Sequence, residues 1–135
     1  FDGNRSFSSN ELNRYLENLD LTQVQYIEEP LASIDEWSNV TRATELDFAL
    51  DENISLRREC DFARYIVAKP TWNISLKETL RELAVENQEV IISSAFEPPN
   101  NLQILKMIAS ESDQVCGLDT LNFFDLPSLK TTLID

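Results

Sequence analysis

The chain has 135 residues, of which 42% are hydrophobic and 26% are charged, a balance typical of one globular domain and not of a disordered chain. Its formal net charge of −13 disfavours binding to the phosphate backbone of a nucleic acid. No apolar run approaches the roughly 20 residues that cross a bilayer, so we expect neither a nucleic acid nor a membrane as a partner.

Short apolar runs alternate along the chain with segments whose apolar residues recur at helical spacing. The runs are rich in aromatic and β-branched residues, as in strands buried on both faces of a parallel sheet. They lie at residues 24–27, 48–50, 65–68, 90–92 and 115–118. The predicted helices have the apolar faces Leu12, Leu16 and Leu19; Ile34, Trp37 and Val40; Leu56, Cys60 and Ala63; Leu76, Leu80, Leu83 and Ala84; and Leu102, Leu105 and Ile108.

Three of these helices have the signature of a capping box at their start. In this motif a serine oxygen accepts from a backbone N–H, and a glutamate three residues later accepts from the serine N–H. The predicted pairs are Ser8 with Glu11, Ser33 with Glu36, and Ser75 with Glu78.

The spacing of the predicted strands indicates a repeated βα unit. Their ends fall near residues 28, 51, 69, 94 and 119, which are 23, 18, 25 and 25 residues apart. Right-handed crossovers between such units make the strands parallel. An α/β fold is therefore predicted, and both an open doubly wound sheet and a barrel satisfy the pattern.

Charged residues occupy the places where ligands bind in either architecture, at the carboxyl ends of the strands. Asp2 precedes the first helix, Glu28 and Asp51 end two successive strands, and Lys69 ends the next. One acid at a strand end is more often a helix cap or a salt-bridge partner, but three acids and a lysine on consecutive units favour a functional site. Grouped carboxylates repel one another unless a cation joins them. With oxygen ligands and no histidine in the chain, we predict Mg²⁺, with Mn²⁺ as a substitute.

A lysine beside such a metal acts as an acid, a base or a fixed positive charge. Together, Lys69 and the metal suit removal of a proton next to a carboxylate, because both stabilise the negative charge that develops. We therefore expect a small-molecule carboxylate as the substrate.

Four motifs resemble the enolase superfamily in its muconate-lactonizing subgroup, and within it the o-succinylbenzoate synthases. Residues 2–4 are similar to D-x-N of the third barrel strand, and residues 26–30 to I-E-E/Q-P of the fourth. Residues 50–52 are similar to A-L-D-E of the fifth strand and residues 67–71 to I-K-P-T of the sixth. The resemblance implies Asp2, Glu28 and Asp51 as metal ligands, with Glu28 and not Glu29 taken from the fourth-strand motif.

Two further segments carry the resemblance to the substrate side of the site. Residues 92–97 are similar to the seventh-strand S-S-x-x-E stretch, and residues 117–120 to the eighth-strand G-L-D-T. They imply substrate contacts from Ser93, Ser94 and the backbone N–H of Gly117, and Asn4 of D-x-N is a further substrate-binding candidate. The chain departs from the family at Trp72-Asn73 and at residues 98–101, where small residues are usual.

The resemblance implies an o-succinylbenzoate synthase of menaquinone biosynthesis. Such a lyase dehydrates 2-succinyl-6-hydroxy-2,4-cyclohexadiene-1-carboxylate to o-succinylbenzoate through a metal-stabilised enediolate. Residues 1–135 would form part of a (β/α)7β barrel of the TIM type, from the end of strand three to strand eight. The capping domain and first strands, with the proton-abstracting second-strand lysine, would lie outside, so we expect this chain alone to be inactive. Lys69 would support the enediolate by its charge.

Other activities stay open at this point. An N-succinylamino acid racemase or a cycloisomerase of the same superfamily fits the metal site, and in racemases the sixth-strand lysine is a second base. A non-enzymatic remnant that keeps the fold is a third possibility. The sequence predicts no particular oligomeric state.

The two cysteines, Cys60 and Cys116, lie far apart among apolar neighbours. A disulfide framework in so short a chain needs more cysteines, so we predict buried, reduced thiols. No secretory signal is visible. We therefore expect a cytoplasmic location.

Overall fold

The fold is α/β, with a four-stranded parallel sheet in the order β1-β2-β3-β4. The computed structural model describes residues 1–43, 46–83 and 88–118. Short 3-10 turns at Leu21–Gln23 and Ile54–Leu56 accompany the main elements. In chain order these are α1 (Ser9–Leu16), β1 (Tyr26–Glu28), α2 (Ile34–Ala43), β2 (Asp47–Leu50), β3 (Tyr65–Ala68), α3 (Leu76–Leu83), β4 (Glu89–Ile92) and α4 (Pro99–Ala109).

The chain divides into two compact units, and the first spans residues 1–66. In this unit β1 pairs in parallel with β2, and β2 with the start of β3. A parallel bridge between Asp2 and Glu28 places the first residues of the chain alongside β1. The core is built around Trp37, which is fully buried and donates from Nε1 to the carbonyl oxygen of Leu31 at 3.0 Å. The Trp37 ring lies 6.1 Å from that of Phe48 on β2, so α2 packs on the sheet.

The second unit spans residues 67–135, of which residues 67–83 and 88–118 are described. The backbone N–H of Ser93 donates to the carbonyl oxygen of Ala68 at 2.9 Å, which joins the end of β4 to β3. A parallel bridge connects Ser93 to Gly117 on the other side of β4. Both α3 and α4 contact β4. The buried apolar residues here are Val67, Ala68, Ile74, Val90, Ile91, Ile92, Leu102, Leu105 and Ile108.

Two of the three predicted capping boxes are confirmed. Ser8 and Glu11 exchange both hydrogen bonds of the motif at the start of α1. At the start of α3, Glu78 accepts from the Ser75 N–H at 3.3 Å and donates its own N–H to Ser75 Oγ at 3.3 Å. The third box, predicted for Ser33 and Glu36 within the described part of the chain, is not formed. The Glu36 carboxylate instead accepts from the Ser9 hydroxyl and so connects α2 to α1.

Two of the four residues of the predicted buried face of α3 are exposed, while the Leu83 side chain and Ala84 lie outside the described part of the chain. Leu76 and Leu80 are 41% and 49% exposed, whereas Thr79 is fully buried. Burial of a threonine requires a partner for its hydroxyl. The Thr79 hydroxyl donates to the carbonyl oxygen of Ser75 at 3.0 Å, so the helix can turn this side chain inward.

Two other predicted elements are shorter in the structure. The helix expected around Leu56, Cys60 and Ala63 is the 3-10 turn at Ile54–Leu56, followed by turns in which Cys60 and Ala63 are buried. The strand expected at residues 115–118 is represented by the single bridge at Gly117. Neither Cys60 nor Cys116 forms a disulfide, and Cys60 is buried while Cys116 is half-buried.

The structure confirms the α/β class and the parallel strands, while barrel closure stays a prediction. Asp119 and Thr120 of the G-L-D-T segment lie outside the described residues. Among the helices of the described ranges, none is long and apolar enough to cross a membrane.

Candidate functional site

The three predicted carboxylate ligands lie at or just beyond the carboxyl ends of neighbouring parallel segments in the first unit. Asp2 bridges directly to Glu28, the last residue of β1. Glu28 in turn pairs with Ala49 of β2. Asp51 comes two residues after Ala49, just beyond the end of β2. The segments that carry the three acids therefore follow one another across the sheet in the same order as in the sequence.

The segment that carries Asp2 is fastened to the end of β1 by backbone hydrogen bonds. The Gly3 N–H donates to the Glu28 carbonyl oxygen at 2.7 Å, and the Glu28 N–H donates to the Phe1 carbonyl oxygen at 2.8 Å. Gly3 is required by this close approach, since a Cβ atom there would lie 2.6 Å from the Cα of Pro30. Asn4, the next residue, has a positive φ of 46°. Its N–H donates to Asp2 Oδ1 at 2.8 Å, so Asp2 and Asn4 of the D-x-N motif contact each other.

The three carboxylates differ in exposure. Asp2 is exposed, Glu28 is half-buried and Asp51 is 2% exposed. A buried carboxylate needs hydrogen bonds or a cation to offset its lost hydration.

Glu29, the acid next to the predicted ligand Glu28, is buried. It is fully buried and has a positive φ of 40°. Its Oε1 accepts from the N–H groups of Asp51 and Asn53, each at 2.9 Å, and its Oε2 accepts from Asn53 Nδ2 at 2.8 Å. Burial raises the pKa of the Glu29 carboxyl, and the hydrogen bonds from Asn53 and Asp51 oppose that rise. In the sequence, two features point to this role of Glu29. It is a second acid beside Glu28, and the segment after the next strand, residues 51–53, has N–H groups and an asparagine side chain that can donate to it.

In the second unit, Lys69 lies just after β3 and is half-buried. Its ammonium nitrogen is 5.2 Å from the centre of the Trp72 ring, within cation–π range. Its backbone N–H donates to Asn73 Oδ1 at 2.8 Å, and Asn73 Nδ2 donates to the Val67 carbonyl oxygen at 3.0 Å. Trp72 and Asn73, the residues that depart from the family pattern, thus form the turn that carries Lys69.

The structure brings together the three predicted substrate-binding residues of the second unit. The hydroxyls of Ser93 and Ser94 donate to the Gly117 carbonyl oxygen at 3.3 and 3.2 Å. The Gly117 N–H donates to the Ile92 carbonyl oxygen at 2.9 Å and so belongs to the strand pairing. Ser93 is half-buried and Ser94 is buried.

A buried glutamate holds the loop after Ser94. Glu97 is 5% exposed, and its Oε2 accepts from the Ala95 N–H at 2.6 Å. Its Oε1 accepts from the Thr71 hydroxyl, which connects this loop to the Lys69 turn. The last acid of the S-S-x-x-E stretch therefore shapes the loop from inside. Between Ala95 and Glu97, Phe96 has a positive φ of 65° and is 62% exposed.

The donor set of the first unit fits a hard dication in chemistry and in order. Asp2, Glu28 and Asp51 offer only oxygen atoms, which Mg²⁺ and Mn²⁺ prefer. In side-chain geometry the three are not gathered, since the described part of the chain contains no group of three or more acidic, cysteine or histidine residues placed to hold a metal ion.

Comparison with known proteins does not assign the chain to a family. The chain matches no protein-family model, and no curated protein shows significant similarity to it. The resemblance to the enolase superfamily rests on the motifs alone and stays a prediction.

Proposed function

We propose that this chain supplies the metal-binding strand ends and the lysine of an o-succinylbenzoate synthase of the enolase superfamily. The reaction class is a dehydration that begins with loss of the proton next to a carboxylate. The observation that carries the proposal is the lateral order of Asp2, Glu28 and Ala49 in parallel register, with Asp51 two residues after Ala49 and just beyond the end of β2.

Asp2, Glu28 and Asp51 would hold Mg²⁺ through their carboxylate oxygens. When bound, the ion would supply positive charge to the substrate carboxylate and to the negative charge that develops beside it. The partial burial of Glu28 and the burial of Asp51 favour strong electrostatic interactions, because the local dielectric constant is lower than in water.

Lys69 would contribute a fixed positive charge to the substrate anion. Its ammonium lies over the Trp72 ring, and its backbone is held by Asn73. These contacts limit the positions that the lysine samples, which lowers the reorganisation needed when charge develops. The resemblance assigns the proton-abstracting base to a second-strand lysine that no residue of this chain matches.

By the resemblance, the polar groups of Ser93 and Ser94 beside Gly117 would contact a substrate carboxylate. The Ser93 and Ser94 hydroxyls both point to the Gly117 carbonyl oxygen, and hydroxyls can exchange that acceptor for a substrate carboxylate. Thr71 and Glu97 hold the two loops that border this position.

The metal half of the proposal is tested by titrating the chain with Mn²⁺ and following the free-ion signal by electron paramagnetic resonance, with Mg²⁺ as competitor. We expect one site, weakened at least about tenfold by Asp51→Asn, because removing a charged ligand costs more than about 1.4 kcal/mol. Asp61→Asn removes an exposed acid of the same unit and is the matched control. Equal affinity of the parent and the Asp51→Asn chain would contradict the assignment.

The catalytic half is tested by adding a polypeptide with the capping domain and first strands of an o-succinylbenzoate synthase in trans. Product absorbance should rise only when both polypeptides are present. Lys69→Ala should lower the rate about 100-fold or more, since a positioned acid, base or charge contributes at least that factor. Lys77→Ala, an exposed lysine of α3, should leave it unchanged. Turnover of an N-succinylamino acid instead of dehydration would replace the synthase assignment with the racemase.

A further inference from the structure

Glu29 combines three features that together need an explanation. Its carboxyl is fully buried, its backbone has a φ of 40°, and the hydrogen bonds to its two oxygens come from Asp51 and Asn53. A positive φ is uncommon for a residue with a side chain, and burial of a carboxylate is costly. Neither feature favours stability by itself.

The hydrogen bonds fix one short segment. Oε1 binds the N–H groups of Asp51 and Asn53, and Oε2 binds the Asn53 side chain, so the carboxylate spans the turn from end to end. Two backbone donors and one side-chain donor leave the segment little freedom to rotate. The turn is the one that presents the Asp51 carboxyl at the end of β2.

Adjacent acids therefore have different tasks. Glu28 pairs with Ala49 in the sheet register, whereas the next side chain, Glu29, enters the interior and meets the following strand's turn. The backbone N–H of Glu29 also donates to the Ala49 carbonyl oxygen at 3.2 Å, which ties the same residue to β2 a second time.

We propose that Glu29 is a positioning residue for the Asp51 ligand, acting on a divalent cation through the backbone of residues 51–53. This inference rests on the proposed function, because it is that function which makes Asp51 a ligand. Removing such a partner beyond the direct ligands typically lowers metal affinity 10- to 100-fold.

The experiment compares Glu29→Ala and Glu29→Gln in the full chain. Glutamine keeps an acceptor for the N–H groups of Asp51 and Asn53 and offers an amide to an Asn53 side chain that can rotate to accept. Mn²⁺ affinity, measured by electron paramagnetic resonance, should fall at least about tenfold in Glu29→Ala and stay within about threefold in Glu29→Gln. Equal affinity of the parent and Glu29→Ala would overturn the inference.

Two controls separate positioning from stability and from charge. Ile54→Ala removes a buried side chain beside the same turn and destabilises without touching the Glu29 hydrogen bonds. Glu52→Ala removes the same charge from the same turn. Both should keep parental Mn²⁺ affinity at temperatures where the chain is folded. A loss in Ile54→Ala as large as that in Glu29→Ala would reduce Glu29 to a structural role.

A second readout needs no metal. Amide hydrogen exchange of Asp51 and Asn53, followed by nuclear magnetic resonance, should accelerate in Glu29→Ala and not in Glu29→Gln. If the parent chain binds no Mn²⁺, the proposed function fails, and unchanged exchange in Glu29→Ala separately refutes the positioning role.

If Glu29→Ala does not fold, Asn53→Ala removes one donor only and should still weaken Mn²⁺ binding several-fold. Unchanged binding in that variant would contradict the proposal.

Discussion

At the scale of single residues, Gly3 determines how closely the Asp2 segment approaches β1. A Cβ atom at this position would lie 2.6 Å from Pro30 Cα and 3.2 Å from the Glu28 carbonyl oxygen, both backbone atoms that do not move easily. We expect Gly3→Ala to lower the free energy of unfolding by about 1–3 kcal/mol, as other overpacked sites do. Urea unfolding measures this change.

The matched control for Gly3 is the other glycine of the chain. At Gly117 a Cβ atom would meet the Ser93 hydroxyl oxygen at 3.2 Å, and a hydroxyl can rotate away. Gly117→Ala should therefore cost less than Gly3→Ala. The reverse order of the two costs would show that the approach of Gly3 to Pro30 is not tight.

Asn73 is the second residue whose loss should be measurable. Its side chain satisfies the Lys69 N–H and the Val67 carbonyl oxygen at 2.8 and 3.0 Å. Asn73→Ala should lower the free energy of unfolding by about 1–3 kcal/mol, because partly buried backbone groups lose their partner. Asn100→Ala, at an exposed position of α4, should change it by less than about 0.5 kcal/mol. Equal effects in urea unfolding would contradict the role of Asn73.

Single residues also show which features of the site can be predicted from the sequence and which cannot. That Glu28 ends β1 and Asp51 follows β2 could be predicted from the apolar runs, since each acid comes directly after such a run. The task of Glu29 did not follow, because it depends on a positive φ and on donors 22 and 24 residues away. Such features arise from three-dimensional packing and have no local pattern.

At the scale of elements, the Ser8–Glu11 capping box makes the start of α1 sensitive to pH. Hydrogen bonds from Ser8 lower the pKa of the Glu11 carboxyl below the value of 4.5 that describes the unfolded chain. The carboxylate therefore stabilises the helix start above pH 4.5, and this contribution is lost as the pH falls through the lower folded pKa. The protection factor of the Ser8 amide, the exchange rate of an unfolded chain divided by that of the folded chain at the same pH, should fall over that acid range.

Glu11→Gln is the control for this acid transition. Glutamine can still accept from Ser8 but does not titrate. The fall in Ser8 protection that is assigned to Glu11 should therefore disappear. A transition of equal size in the Glu11→Gln chain would assign it to another group.

Helix starts were easier to predict than helix faces. A serine and a glutamate three residues apart form the box within one turn, so sequence alone contains both partners at Ser8 and at Ser75. The face of α3 depends on what packs against it. Hydrophobic spacing placed Leu76 and Leu80 on the buried face with Leu83 and Ala84, whereas in the structure Leu76 and Leu80 are exposed and Thr79 is buried, with its hydroxyl satisfied locally.

At the scale of the whole molecule, the strand rhythm predicted the parallel order correctly. Parallel neighbours in chain order need only crossovers of similar length, and the sequence shows those lengths directly. Barrel closure is different, because it depends on strand tilt and stagger around a complete ring. No spacing between motifs in this chain contains that information.

The large net charge predicts how the stability of the molecule responds to salt. The chain has 24 acidic and 11 basic side chains, a net charge of −13. Two like charges about 10 Å apart in water repel by about 0.4 kcal/mol, and many such pairs oppose the compact state. Raising NaCl from about 0.02 M to about 0.5 M shortens the Debye length well below 10 Å and removes most of this repulsion. We expect the free energy of unfolding to rise by about 1 kcal/mol or more, measured with urea because it is uncharged.

Glu59→Lys with Asp113→Lys changes the net charge by two units at each exposed site, from −13 to −9, and should reduce the salt response. A free energy of unfolding that is flat or falls with NaCl would show that the acidic side chains do not repel one another enough in the folded chain to affect its stability.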